Sequence, residues 1–177
     1  MSIAKVSIRC KLVVEDNSIE QVMLFRYLCI DISSSHDPVK DLRSQINKAS
    51  ALSGCLRDIV WSNPYMRKDS KIRIYKTCIR PIMTYGTEVR EDTNKTKHML
   101  RVVEMKTLRT MVKKIRGDRV RNTYIREQCG IQDIARWGKQ KKRKWYNHVR
   151  WMDENKLPKI VLKNNPPGSR PPGRRPL

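Results

Sequence analysis

The chain has 177 residues, of which 38% are hydrophobic and only one is phenylalanine, which suits one domain, or a domain with appendages, around a modest core. Lys and Arg total 39 against 17 Asp and Glu, and a net charge of +22 repels itself unless a polyanion shares it, so nucleic acid is the expected partner. No apolar run approaches twenty residues and no amphipathic stretch carries a large aromatic face, so no membrane association is expected. Lys5, Arg9 and Lys11 interrupt the first residues, which lack the apolar centre of a secretory signal; the reading is a soluble, unsecreted protein of a reducing compartment.

Val6 to Val14 and Ile19 to Ile32 are rich in Val, Ile and Leu and flank the turn-like Glu15 to Ser18, predicting an antiparallel β-hairpin. Apolar residues on both faces of the second arm, among them Phe25, Tyr27 and Cys29, predict a strand covered on two sides. Two strands alone are marginal, so the hairpin calls for a larger sheet or a helix against it. SSSHDP at Ser33 to Pro38 breaks the sheet. Leu42, Ile46, Ala49, Ser53, Leu56 and Val60 then alternate by four and three, the seam of a helix that packs on a neighbour. Ala49, Ala51, Ser53 and Gly54 permit a close approach, and the expected partner is the next helix, in an antiparallel pair.

That next helix is the most fully punctuated stretch of the chain. Asn63 and Pro64 predict its start, Pro81 a kink in its last turn and Gly86 a left-handed close. Ile72, Tyr75, Ile79, Ile82 and Met83 share a packing face, while Arg73, Lys76 and Arg80 run down the adjoining flank. After a polar connector, Thr93 or Asn94 caps a third predicted helix running to Ile115 and ended by Gly117. Leu100, Val103, Leu108, Met111 and Ile115 form its packing side, and Lys106, Arg109, Lys113 and Arg116 a cationic stripe. Such a stripe is ordinarily a solvated face, but the scarcity of acids favours phosphate contact here.

Asn122 to Gln128 predicts a short helix stopped at Cys129 and Gly130, and about Gln132 to Met152 a longer one. The long helix mixes Ile134, Trp137, Trp145, Val149 and Met152 with the densest cations of the chain, including Arg136, Lys139, Lys141, Lys142, Arg143 and Lys144. Those cations can neutralise phosphates, and Trp137 or Trp145 either anchors the core or stacks on an unpaired base. KQKKRK also suits a nuclear-import signal, so a nuclear or a cytoplasmic ribonucleoprotein location is expected. From Asn164 the chain reads as a disordered basic tail whose Gly-Arg-Arg-Pro fits phosphate contact or a minor groove. Five scattered cysteines without a CxxC predict buried free thiols, and the distant His36, His98 and His148 suggest neither a metal site nor any cofactor.

Three segments together resemble the C-terminal portion of the reverse transcriptase of non-LTR (LINE-type) retrotransposons. IEQVMLFRYLCIDISS at Ile19 to Ser34 resembles the family's strand ending in Tyr-Leu-Gly, and KIRIYKTCIRPIMTYGTE at Lys71 to Glu88 resembles its helix ending in Tyr-Gly-Ser-Glu. NHVRWMDENKLPK at Asn147 to Lys159 resembles its Gly-His-Val-x-Arg-Met signature. Cys29, Arg90, Asn147 and Trp151 depart from the family's Gly, Trp, Gly and Arg, as in a drifting copy. The family's polymerase centre holds two divalent ions with palm aspartates that include an Asp-Asp pair. No such dipeptide occurs here, and the resemblance places the chain's start beyond it.

The expectation is therefore a mainly α protein with a small N-terminal β-hairpin. Its parts are a palm-edge hairpin at 1–35, a thumb-like helical bundle at 36–117, a C-terminal helical region at 118–163 and a basic tail at 164–177. It is expected to bind RNA or DNA and to catalyse nothing alone. The resemblance implies a thumb gripping a primer–template through Arg73, Lys76, Arg80, Lys106, Arg109 and Lys113. The C-terminal helix, with Arg136, Lys139, Lys142, Arg143 and Trp145, would hold template or target. The missing palm portion of a polymerase is a second expected partner. The competing readings are a protein-interaction module and a retroelement relic without selected function.

Overall fold

The computed structural model describes residues 12–33 and 38–164. The expected strand residues before 12, the centre of the SSSHDP break and the proline-rich tail lie outside them. Among the described residues the protein is mainly helical, with two small antiparallel hairpins at its N-terminal end.

The N-terminal region holds two hairpins where the hydrophobic pattern suggested one. β1 (Leu12–Val14) pairs with β2 (Asn17–Ile19) around Glu15 and Asp16, both at positive φ. β3 (Leu24–Tyr27) pairs with β4 (Ile30–Ser33) around Leu28 and Cys29, again both at positive φ. Two-residue loops of this kind match the twist of the flanking strands, and the arm expected to be one long strand doubles back on itself. β3 is exposed along its whole length, so the expected cover on two sides is not found. At Cys29, φ is 62°, a conformation that glycine adopts most readily.

α1 (Pro38–Cys55) buries Leu42, Ile46 and Ala49 of the expected seam, and Val60 follows in a π-helical turn at Arg57–Trp61. The small residue Ser53 meets α4, where its hydroxyl lies 3.0 Å from that of Thr107, so α1 packs on two neighbours rather than one. Trp61 closes the end of the seam, its indole N–H donating to the Ser53 carbonyl at 2.9 Å.

The next helix begins at Lys68 and not at Asn63 and Pro64. Asn63 spends its side chain on a turn, accepting from the Tyr65 N–H at 2.9 Å and donating to the Ile59 carbonyl at 3.2 Å. The buried Lys71 ammonium donates to the carbonyls of Trp61 at 2.8 Å and Asn63 at 2.6 Å, a cation at a helix C-terminal end. α2 (Lys68–Ile74) passes through a π-helical turn at Tyr75–Ile79 into α3 (Arg80–Thr84). Pro81 follows directly on the wide turn, where the Arg80 N–H reaches back to the Tyr75 carbonyl and the regular ladder is already interrupted. Tyr75, Ile79 and Met83 are fully buried, as the spacing predicted. Gly86 has φ 70°, a conformation that glycine adopts most readily, and a Cβ there would lie 2.8 Å from Ile30 Cδ1, which would have to shift.

α4 (Asn94–Met111) starts at Thr93, whose hydroxyl accepts from the Thr96 N–H at 3.1 Å. It ends earlier than the pattern indicated. Lys113 turns left-handed at φ 54°, its N–H bonding the Thr110 carbonyl and that of Lys114 the Arg109 carbonyl, the paired bonds of a Schellman close. Ile115 therefore falls beyond the helix and is exposed instead of packed. α5 (Asn122–Cys129) closes in the same way at Gly130, and α6 (Ile134–Trp151) and α7 (Leu157–Lys163) complete the chain. One core runs from Leu42 through Tyr75 and Leu108 to Ile125 and Ile134, crossing the position near 117 where a boundary was expected. Of the described cysteines only Cys129 is buried, which corrects the expectation of buried thiols for Cys29, Cys55 and Cys78.

Candidate nucleic-acid interface

α6 has three longitudinal surfaces. Ile134, Gly138 and Val149 are buried and face the body of the protein; Gly138 allows the approach, since a Cβ there would meet Thr87 Cγ2 at 2.9 Å. Beside this face, Arg136, Lys139, Gln140, Lys142, Arg143 and Tyr146 form one wall of an open groove of about 640 Å³, and Asp92, from the connector before α4, contributes to the other. Four predicted contacts, Arg136, Lys139, Lys142 and Arg143, thus come together with a single carboxylate among them. The third surface carries Lys141 and Lys144 into solvent.

Lys142 also anchors the groove, because its ammonium donates to the Arg90 carbonyl at 2.6 Å. The Arg90 side chain is itself largely covered. Its guanidinium donates to Asp41 Oδ2 at 2.8 and 3.1 Å, to Gln45 Oε1 at 2.7 Å and to the Tyr85 carbonyl at 2.9 Å, while Asp41 accepts from the Asp31 N–H of β4. One residue therefore ties the second hairpin, α1, the turn after α3 and the groove wall together.

At its first turn α6 is fixed by an ionic network that runs from the exposed Arg101 to the buried Glu104. Asp133, just before the helix, accepts from Arg101 at 2.7 Å and pairs with Arg126 at 3.1 Å. Burial pushes the Asp133 carboxyl up, but the Arg101 hydrogen bond and the two guanidinium charges outweigh it and hold the group below the usual aspartate value. Arg126 also donates to Glu104 Oε2 at 2.6 and 2.9 Å. Glu104 is fully buried, and burial raises its carboxyl above the ordinary glutamate value despite Arg126. Tyr75, buried with its hydroxyl unpaired, is raised by the same burial and by the Glu104 charge.

The remaining predicted contacts divide by environment. Arg73 and Lys76 are exposed on α2 and the π-turn, whereas Arg80 turns toward α6, its guanidinium 4.8 Å from the Trp137 ring centroid. Lys141 lies 5.0 Å from the same centroid, so Trp137 is engaged by two cations. Lys106 is exposed on α4 and Lys113 at its close. Arg109 belongs to the fold: it donates to the carbonyls of Ile115 and Val120 at 3.0 and 2.7 Å and to Asn122 Oδ1 at 2.9 Å, holding the loop into α5. Trp145 continues the buried stripe of α6 and emerges 40% exposed, outside the groove.

The α6 groove lies by the start of α4 and Lys113 at its far end; eighteen residues at about 1.5 Å each separate the two groups by roughly 27 Å. Sequence reasoning missed Tyr146, Asp92 and Arg90. Tyr146 was within reach, since it stands three residues after Arg143 and seven after Lys139 on the same stripe. Asp92 and Arg90 carried no local signal, because the α6 residues that share the groove with Asp92 and the Asp41 and Gln45 partners of Arg90 are distant in the chain. Glu154 is engaged at the surface by Lys159 and Lys163. Among the described residues no three His, Cys, Asp or Glu side chains are grouped to hold a metal ion, and no helix is long and apolar enough to cross a membrane. Comparison with protein-family models, with curated proteins and with solved structures yields no match to this chain.

Proposed function

We propose that the chain is a non-catalytic nucleic-acid-binding fragment of a retrotransposon reverse transcriptase that grips an RNA or DNA backbone with its basic helices. The observation that carries this reading is the convergence of Arg136, Lys139, Lys142 and Arg143 in one groove beside a single carboxylate. Cations left this poorly compensated in a chain of net charge +22 are satisfied by phosphates, with release of counterions. Arg73 and Lys76, and separately Lys106 and Lys113, add backbone contacts; Arg80 and Arg109 serve mainly to hold their elements. The order of the three motif-like segments supports the parentage, and the role is positioning rather than chemistry.

The test is fluorescence anisotropy of labelled oligonucleotides across a salt series. Affinity is expected to fall steeply and linearly with the logarithm of salt concentration, and the double substitution Arg136→Glu, Arg143→Glu to weaken binding and flatten the slope. A salt-insensitive affinity, or one unchanged by the double substitution, would rule the reading out.

A second reading is favoured by one specific observation. Leu24, Phe25, Tyr27 and Leu28 of the second hairpin are all exposed, with the Phe25 and Tyr27 rings stacked at 6.4 Å. A partner that supplies further sheet, such as the palm portion of a polymerase, would cover them. Pull-down with and without nuclease separates the two: partners retained after digestion favour the protein-docking reading.

A further inference from the structure

We infer that the α6 groove receives an unpaired nucleotide, with its phosphates on Arg136, Lys139 and Arg143, its base against Tyr146 and the donor edge of a guanine on Asp92. This deepens the proposed function and rests on it.

Four features of the groove carry the inference. Its volume of about 640 Å³ lies within the range of roughly 300–1,000 Å³ that holds one small ligand. Arg136 and Arg143 are two helical turns apart, about 10 Å along the axis, with Lys139 between them, enough to engage the phosphates on either side of one nucleotide. Tyr146 lines the groove and is 44% exposed, whereas Trp137 is already engaged by Arg80 and Lys141, so Tyr146 is the aromatic surface offered to a base. Asp92 is exposed, lies in the wall and takes part in none of the ion pairs of the described residues.

A carboxylate in a phosphate-binding groove is unfavourable for a ligand that presents only phosphates, and a duplex backbone is such a ligand. An ionised carboxylate accepts hydrogen bonds and donates none. The Watson–Crick edge of guanine offers an imino and an amino N–H side by side, which two carboxylate oxygens can accept together. That edge is accessible only when the base is unpaired, as in the single-stranded segments that proteins read by stacking and edge contacts. Phosphate recognition by the cations, stacking on Tyr146 and edge recognition by Asp92 thus describe one ligand.

The experiment measures anisotropy of the full chain with labelled uridine-only oligonucleotides, the same strands carrying one guanine, their deoxy counterparts, and a duplex of equal length, at one salt concentration. The guanine strand is expected to bind about tenfold more tightly than the uridine strand, and Tyr146→Ala to lose about tenfold on single strands while leaving duplex affinity unchanged. Asp92→Asn is expected to strengthen binding to the uridine-only strand by removing a negative charge and to abolish the preference for guanine. Circular dichroism of each variant verifies that it is folded. Equal affinity for duplex and single strand, an equal effect of Tyr146→Ala on both, or a guanine preference that survives Asp92→Asn would overturn the inference while leaving backbone binding intact. Failure to bind any oligonucleotide would instead overturn the proposed function.

Discussion

Arg90 donates to Asp41, Gln45 and a carbonyl from a site where guanidinium and carboxylate are largely shielded from water, so the cost of removing one partner is set mainly by the charge left behind. Arg90→Ala is expected to cost about 3–5 kcal/mol, with Arg90→Ala, Asp41→Ala together less damaging than the sum of the single substitutions, as read by urea unfolding. Glu104 gives a pH signature. Its carboxyl is raised in the folded state, so the folded protein binds the proton more tightly than the unfolded chain, and its contribution to stability declines as pH rises from the ordinary glutamate value through the raised one. Asp133, held below its ordinary value, acts in the opposite sense, contributing stability that is lost as pH falls through its folded value. In Glu104→Gln the decline on raising pH should disappear while the acid-side loss remains, which unfolding midpoints between about pH 3 and pH 8 would reveal. At the close of α4 a lysine occupies a left-handed position, and Lys113→Gly is expected to gain about 1 kcal/mol by relieving that conformation.

Elements here are joined at close contacts that their own periodicity does not announce. The buried face of α6 rests on the turn after α3 through Gly138 and Thr87. An alanine at 138 gains helix propensity of about 1 kcal/mol but drives its Cβ into the Thr87 methyl, an overpacking that typically costs about 1–3 kcal/mol. Gly138→Ala should therefore be neutral to destabilising in the native background and stabilising in Thr87→Ser, where that methyl is absent. A change of sign in the double-mutant cycle, measured by thermal unfolding, is the expected result. The same logic explains the basic flank of α2 and α3: one regular stripe in sequence, it is divided by the π-turn and by Trp137, which draws Arg80 toward α6 while Arg73 and Lys76 stay in solvent.

At the scale of the whole molecule the dominant quantity is charge. A net +22 raises the energy of the compact state by self-repulsion, and any polyanion that binds the folded protein relieves it. Oligonucleotide at about 100 times its dissociation constant should stabilise the fold by about 2.7 kcal/mol, seen as a higher melting temperature, and added salt should erase the shift. The first hairpin is exposed at one end while the second is tied to α1 through β4, so stability is expected to be lowest in the first. Hydrogen exchange should find β1 and β2, none of whose described flanks is buried, far less protected than α4.

The amino-acid sequence by itself determined the helical class, the seam of α1, the buried face of α2 and α3, a cap at Thr93 or Asn94 and the concentration of cations on α6, because each depends on residues within a few turns of one another. It could not determine which cations remain available. Arg109 and Lys142 look like their neighbours in sequence, yet one holds a loop and the other a carbonyl, and those partners are brought to them by packing over 6 to 52 residues. Nor could it place Asp92 across from α6 or pair Arg90 with Asp41, since electrostatic partnership depends on distance in space. Local periodicity set which faces exist, and only the tertiary structure decided which of them meet.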